Sequence, residues 1–202
     1  MIRSSKDWRA AFSVYRNTRV ISMVFLGFSA GLPFLLVFST LSAWLRAEDV
    51  DRAAIGFFSW IGITYSIKVF WAPIVDRVPL PFLTRYLGRR RGWMLLAMIG
   101  IAAGLLGMAG TEPSSDLSRL VLCALLVAFS SATQDISIDA YRIEAVSHDL
   151  QGAMAATYQL GYRMALLVAG GGALLLADAV NWSITYVFLS SLTIIGIATV
   201  LF

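Results

Sequence analysis

Four ionisable side chains sit where the surrounding sequence is apolar: Lys68, Asp135, Asp139 and Arg163. On insertion scales a charge near the centre of a membrane helix costs about 2.5–3.5 kcal/mol, so such groups persist where they meet a partner or a polar cavity. Within Ser130–Arg142, the residues Asp135, Asp139 and Arg142 recur at i, i+4 and i+7 and share one helix face. At about 1.5 Å per residue, Asp135 lies about 10 Å from the inner end of its apolar run, and with Gln134 it is expected to line a solute pathway. Asp139 and Arg142 lie nearer the end, where they fit either the pathway or an acidic–basic ladder closing the helix. Lys68 is about 12 Å from the inner end of its run, which suits an inward-facing role, a structural ion pair or snorkelling. Arg163 is about 18 Å deep and cannot shed its proton, so it pairs with a carboxylate, Asp135 being the obvious one, or holds an anionic solute. Tyr158, Gln159 and Tyr162 on adjoining turns can stack on and hydrogen-bond a sugar-like solute, or serve as ordinary packing groups.

This chemistry is binding and proton movement rather than bond cleavage. An aspartyl dyad needs two carboxyls over one scissile bond, whereas Asp135 and Asp139 sit at different depths of one helix, which argues against an enzyme. With one cysteine, Cys123, and one histidine, His148, there is no intramolecular disulfide and no ligand set for zinc, so no metal and no cofactor are expected.

The elements that must position these residues follow from composition. Of 202 residues, 58% are apolar and 14% charged, and the mean hydropathy is +0.76, values outside the range of water-soluble domains. Apolar runs at 20–45, 54–75, 93–110, 118–140, 152–177 and 181–202 are each long enough to span a bilayer, so the chain reads as an all-α bundle of six transmembrane helices over 20–202. Residues 1–19 form a basic arm, with an interfacial helix expected from Trp8 to Tyr15. Positive-inside bias orients the bundle. The arm, the connection between runs two and three, and Arg142 hold eleven basic residues, against three at Arg46, Arg52 and Arg119 on the other side. Both ends are therefore expected in the cytoplasm. Because the basic residues cluster beside the spans rather than along a soluble face, the net charge of +4 does not indicate nucleic acid. Pro79 and Pro81 end any helix leaving run two. Gly27 and Gly31, Gly100 and Gly104, and the run Gly170–Gly172 are expected to let helices touch, while Gly27, Gly31 and Pro33 together favour a bend.

Four stretches carry a family resemblance: Gly27-Phe28-Ser29-Ala30-Gly31-Leu32-Pro33, Ile67-Lys68-Val69-Phe70-Trp71-Ala72-Pro73-Ile74-Val75-Asp76-Arg77, Gly88-Arg89-Arg90-Arg91-Gly92-Trp93, and Ala132–Glu144 with its Gln134-Asp135 and Asp139-Ala140-Tyr141-Arg142. Together they resemble the AmpG-type muropeptide permeases of the major facilitator superfamily, over almost the whole chain. The resemblance implies the N-terminal half of a twelve-helix transporter, with a 3+3 inverted repeat. It implies proton-coupled import of anhydromuropeptides, for peptidoglycan recycling, across the bacterial inner membrane. The implied partners are a small glycopeptide, protons, membrane lipid and a C-terminal half of the transporter. Acetyl-coenzyme A transporters are similar in Lys-x-x-Trp-Ala-Pro and Gln-Asp, so that cargo stays open, as does a non-transporting truncated subunit. The superfamily's loop signature implies a cytoplasmic gate at Asp76, Arg77, Arg89, Arg90 and Arg142. Here Ala72 and Pro79 stand where the signature has glycine, and Gly88-Arg89-Arg90 comes late.

Overall fold

The computed structural model describes residues 13–202, so most of the basic arm and the start of the expected Trp8–Tyr15 helix lie outside the described residues. Val14–Arg16 forms a single 3-10 turn. All six apolar runs become helices long and apolar enough to cross a membrane: α1 Thr18–Ala47, α2 Arg52–Phe70, α3 Arg89–Ala109, α4 Leu117–Glu144, α5 His148–Ala179 and α6 Trp182–Leu201. No strand occurs among the described residues.

Side-chain caps start four of them, each satisfying backbone N–H groups that have no partner within the helix. Asn17 accepts from Arg19 N, Asp51 from Ala53 N, Asp116 from Arg119 N and Asn181 from Ile184 N. Two short helices, Ala72–Arg77 and Leu83–Leu87, flank the Pro79–Pro81 break, and Gly88 at φ 79° turns the chain into α3.

Three helices are irregular. α1 is regular through Val37, breaks at Phe38 (φ −117°, ψ −101°) and resumes over Ser39–Ala47. Gly27, Gly31 and Pro33, where the sequence favours a bend, lie within the regular part of the helix, and the break comes five residues after Pro33. α2 alternates α and 3-10 turns over Arg52–Phe58, Ser59–Gly62, Ile63–Ser66 and Ile67–Phe70, a stretch of β-branched residues and glycine with low helix propensity. α5 carries a π segment at Val168–Gly172. Of the Gly170–Gly172 run only Gly170 meets another helix: a Cβ there would lie 3.0 Å from Leu35 Cδ1 of α1, whereas one on Gly171 would meet nothing within 4 Å.

Gly27, Gly31, Gly100 and Gly104 are the expected seams. A Cβ on Gly27 would lie 2.1 Å from Tyr158 O and one on Gly161 1.8 Å from Val24 O, so α1 and α5 are in backbone contact. Gly100 and Gly104 likewise admit Ser130 and Val127 of α4 against α3. Leu36, Leu41, Trp44, Leu105 and Tyr186 fill the core at one end of the bundle, and Met23, Met94, Met98, Ile138 and Met154 fill it at the end bearing the arginines. α2 and α5 remain largely uncovered, with 11% and 22% of their most apolar windows buried against 61% for α1.

Candidate functional site

Two of the stretches singled out in the sequence dock on each other. Lys68 Nζ lies 3.6 Å from Asp135 Oδ2, joining the end of α2 to the second half of α4. One turn further on, Trp71 Nε1 donates to Thr133 Oγ1 at 3.2 Å, while the Thr133 hydroxyl donates to Phe129 O at 2.8 Å. The Trp71 ring packs on Phe129, with centroids 4.8 Å apart. Thus Lys-x-x-Trp and Thr-x-Asp form one joint, an ion pair backed by a hydrogen bond.

Beside Asp135, Gln134 is fully buried. Its amide donates to Ser29 Oγ of α1 at 3.0 Å, and Ser29 in turn lies where a Cβ on Gly196 of α6 would go. Gln134 therefore locks α4 to α1 while Asp135 faces α2. Two oxygens here are buried without a hydrogen-bond partner among the described residues, Gln134 Oε1 and Asp135 Oδ1, while the buried Tyr65 hydroxyl lies beside Ser131. Such groups are expensive to leave unpaired, so their presence marks a place for water or a ligand. Tyr65, Tyr158 and Tyr162 are all within electrostatic reach of Asp135. Tyr158 and Tyr162 are 6.1 Å apart between centroids, and Tyr65 packs against Phe34 and Phe38 at 5.9 and 5.8 Å. A cationic and an anionic group, phenols and an aromatic wall together can bind a polar solute with a hydrophobic face.

Arg163 does not pair with Asp135. The Asp135 face of α4 is occupied by α2, whereas α5 lies along α1, so Lys68 takes the carboxylate. Arg163 is exposed and makes no ion pair among the described residues, and Gln159, one turn away, is exposed too.

At the arginine-bearing end, Arg90 is the hub. It meets Asp76 Oδ1 at 2.5 Å and Glu144 Oε1 at 2.6 Å, tying α3 to the Ala72–Arg77 helix and to the end of α4. Glu144 was not singled out for this role by its sequence, although it stands two residues after Arg142. Arg142 pairs with Asp139 at 3.3 Å and lies over the Tyr158 ring at 6.0 Å. The expected gate thus separates: Asp76, Arg90 and Arg142 are engaged, whereas Arg77 and Arg89 are exposed and make no ion pair among the described residues.

Comparison with known proteins gives a consistent picture. The family described as acetyl-coenzyme A transporter 1 matches residues 19–186. The anhydromuropeptide permease of Escherichia coli K12 is 39% identical over 182 residues, covering 90% of this chain and 36% of the permease. The putative transporter AmpG 4 of Rickettsia felis is 35% identical over 189 residues, 93% of this chain and 45% of that protein. A protein of Haemophilus influenzae named only as uncharacterized is 34% identical over 91% of this chain. The chain spans less than half the length of these curated relatives.

Proposed function

The chain belongs to the acetyl-coenzyme A transporter 1 family, and from that membership we propose that it forms the N-terminal bundle of a proton-coupled importer of anhydromuropeptides in the bacterial inner membrane. Two relatives bear the names AmpG and anhydromuropeptide permease, which favours that cargo. The helix neighbours support a 3+3 arrangement: a two-fold exchanging the first three spans with the last three would interchange the α1–α5 contact with the α2–α4 contact.

One observation carries the proton coupling. Among the described residues Asp135 has a single cation partner, Lys68 at 3.6 Å, and a buried second oxygen with no hydrogen-bond partner. A carboxylate that loses its cation in low dielectric takes up a proton, and the returning ammonium expels it. Movement of α2 past α4 would make and break this pair, while Gln134 holds α4 fixed to α1. In this reading Lys68, Gln134, Asp135, Tyr158, Gln159, Tyr162 and Arg163 line the solute and proton pathway. Asp139 and Arg142 sit at its mouth. The arginine-bearing end faces the cytoplasm by the positive-inside rule, with Asp76, Arg90 and Glu144 clasping it shut and Arg77 and Arg89 left to meet headgroups or the other half.

The test is Asp135→Asn in the complete transporter, reconstituted in vesicles. Accumulation of labelled anhydromuropeptide driven by a pH gradient should vanish, while exchange of cargo without a gradient survives, because the amide mimics the protonated acid. Undiminished accumulation with unchanged pH dependence would leave Lys68–Asp135 a structural pair. The family description favours a second cargo, acetyl-coenzyme A. Competition by each unlabelled compound in the same vesicles separates the two.

A further inference from the structure

A second recess, away from the Lys68–Asp135 joint, opens at the arginine-bearing end among α1, α3, α4 and α6, with a volume of about 480 Å³. Its rim is built from Arg19 and Arg91 with the hydroxyl-bearing Thr18, Ser22, Tyr141 and Thr199. Leu26 and Met94 are its apolar floor. Both guanidiniums are fixed by backbone carbonyls rather than by acids: Arg19 donates to Ala145 O, and Arg91 Nε to Val200 O at 2.5 Å. Neither has a carboxylate within ion-pair distance among the described residues. One carboxylate does reach the rim, that of Glu144, but it is taken by Arg90 at 2.6 Å.

Two positive charges are thus held at one opening with their remaining N–H donors uncommitted. Each also lies in the first turn of its helix, where the backbone dipole already places positive charge, and the offset comes only from the partial charges of the carbonyls ending α4 and α6, no carboxylate among the described residues pairing with either. Planar guanidiniums present fork-shaped donors that match phosphate, and the Thr18 and Tyr141 hydroxyls add single donors, those of Ser22 and Thr199 being given to Arg19 O and Ile195 O. The recess sits at the level of helix ends, where lipid headgroups lie.

We propose that this recess binds a phosphate group, held between Arg19 and Arg91. Two sources share that chemistry, an anionic phospholipid headgroup and a soluble phosphate. A bound phosphate would join the starts of α1 and α3 to the ends of α4 and α6. It would brace one end of the bundle independently of the Asp76–Arg90–Glu144 clasp.

The test uses the delipidated 202-residue chain in neutral-detergent micelles, titrated with phosphatidylglycerol, phosphatidylcholine or inorganic phosphate and read by native mass spectrometry and thermal unfolding. Phosphatidylglycerol should be retained in preference to phosphatidylcholine, with binding weakened about thirtyfold in Arg19→Gln/Arg91→Gln. Arg52→Gln/Arg119→Gln, at the opposite end, should leave it unchanged. Millimolar inorganic phosphate that displaces the lipid and raises the unfolding temperature assigns the site to soluble phosphate as well. Phosphate without effect assigns it to the lipid. Equal binding by the double variant and the parent chain, or no preference over phosphatidylcholine, overturns the proposal. If the double variant does not fold, titration of the parent chain in low and high salt decides. Binding that weakens about tenfold or more is expected, and binding indifferent to salt refutes the site.

Discussion

Arg90 holds two carboxylates with one guanidinium, and its neighbour Arg89 holds none, although the two are adjacent in one arginine run. Charge-assisted hydrogen bonds of this kind contribute more than neutral ones, but Asp76 and Glu144 are about half exposed, which discounts them. Arg90→Gln should lower stability by about 1–2 kcal/mol, since it also leaves two like charges facing each other, while Arg89→Gln should stay within about 0.5 kcal/mol. Thermal unfolding of both variants in one detergent checks this, and equal effects would mean that the clasp contributes nothing. Composition and spacing brought Lys68, Asp135, Asp139 and Arg142 to notice because charge in an apolar run is conspicuous. The partners were harder to read. Asp135 takes Lys68 rather than Arg163 because α2, not α5, covers its face of α4, a fact of packing that no local spacing encodes. Tyr65 went unnoticed because its place beside Ser131 and Asp135 comes from the packing of α2 on α4, which leaves no local sequence signal.

Helix existence was legible and helix regularity was not. Hydropathy over roughly 20 residues located all six spans, because lipid demands that length of any helix crossing it. The break at Phe38 and the π segment at Val168–Gly172 depend on contacts between helices. The Thr40 hydroxyl donates to Ala169 O at 2.6 Å and the Tyr186 hydroxyl of α6 to Leu36 O at 2.9 Å, so a carbonyl in the π segment and one just before the α1 break are each satisfied by a neighbouring helix. Thr40→Val should cost about 1 kcal/mol by leaving the Ala169 carbonyl without that donor, read as a lower unfolding temperature. The glycines divide by the same logic. Gly161→Ala drives a methyl group into Val24 O and should destabilise by about 3 kcal/mol or prevent folding. Gly171→Ala meets open space and should leave stability unchanged or raise it by up to about 1 kcal/mol. Should Gly161→Ala unfold no earlier than Gly171→Ala, the α1–α5 backbone contact is not what holds those helices together.

At the scale of the molecule, the question is what one bundle does alone. α2 and α5 are the least covered helices, and they carry Lys68, Gln159 and Arg163, polar groups that a lipid-facing surface disfavours. The curated relatives are more than twice as long as the matched segment, and under the proposed function a second bundle docks against these helices. Alternating access requires two bodies rocking about a shared midplane site, and under the proposed function this six-helix bundle supplies half of that site. The 202-residue chain in vesicles should therefore not concentrate labelled anhydromuropeptide under a pH gradient, although its Lys68–Asp135 joint is intact. Reporter fusions at Gly88 and Thr111 give the control for correct insertion: they should report cytoplasm and periplasm respectively, as eleven basic residues on one side against three on the other dictate. With insertion verified, adding the segment corresponding to the rest of a relative's length should restore uptake. Robust accumulation by the isolated chain would instead require two copies to pair through α2 and α5, and uptake would then rise steeply with the amount of chain per vesicle.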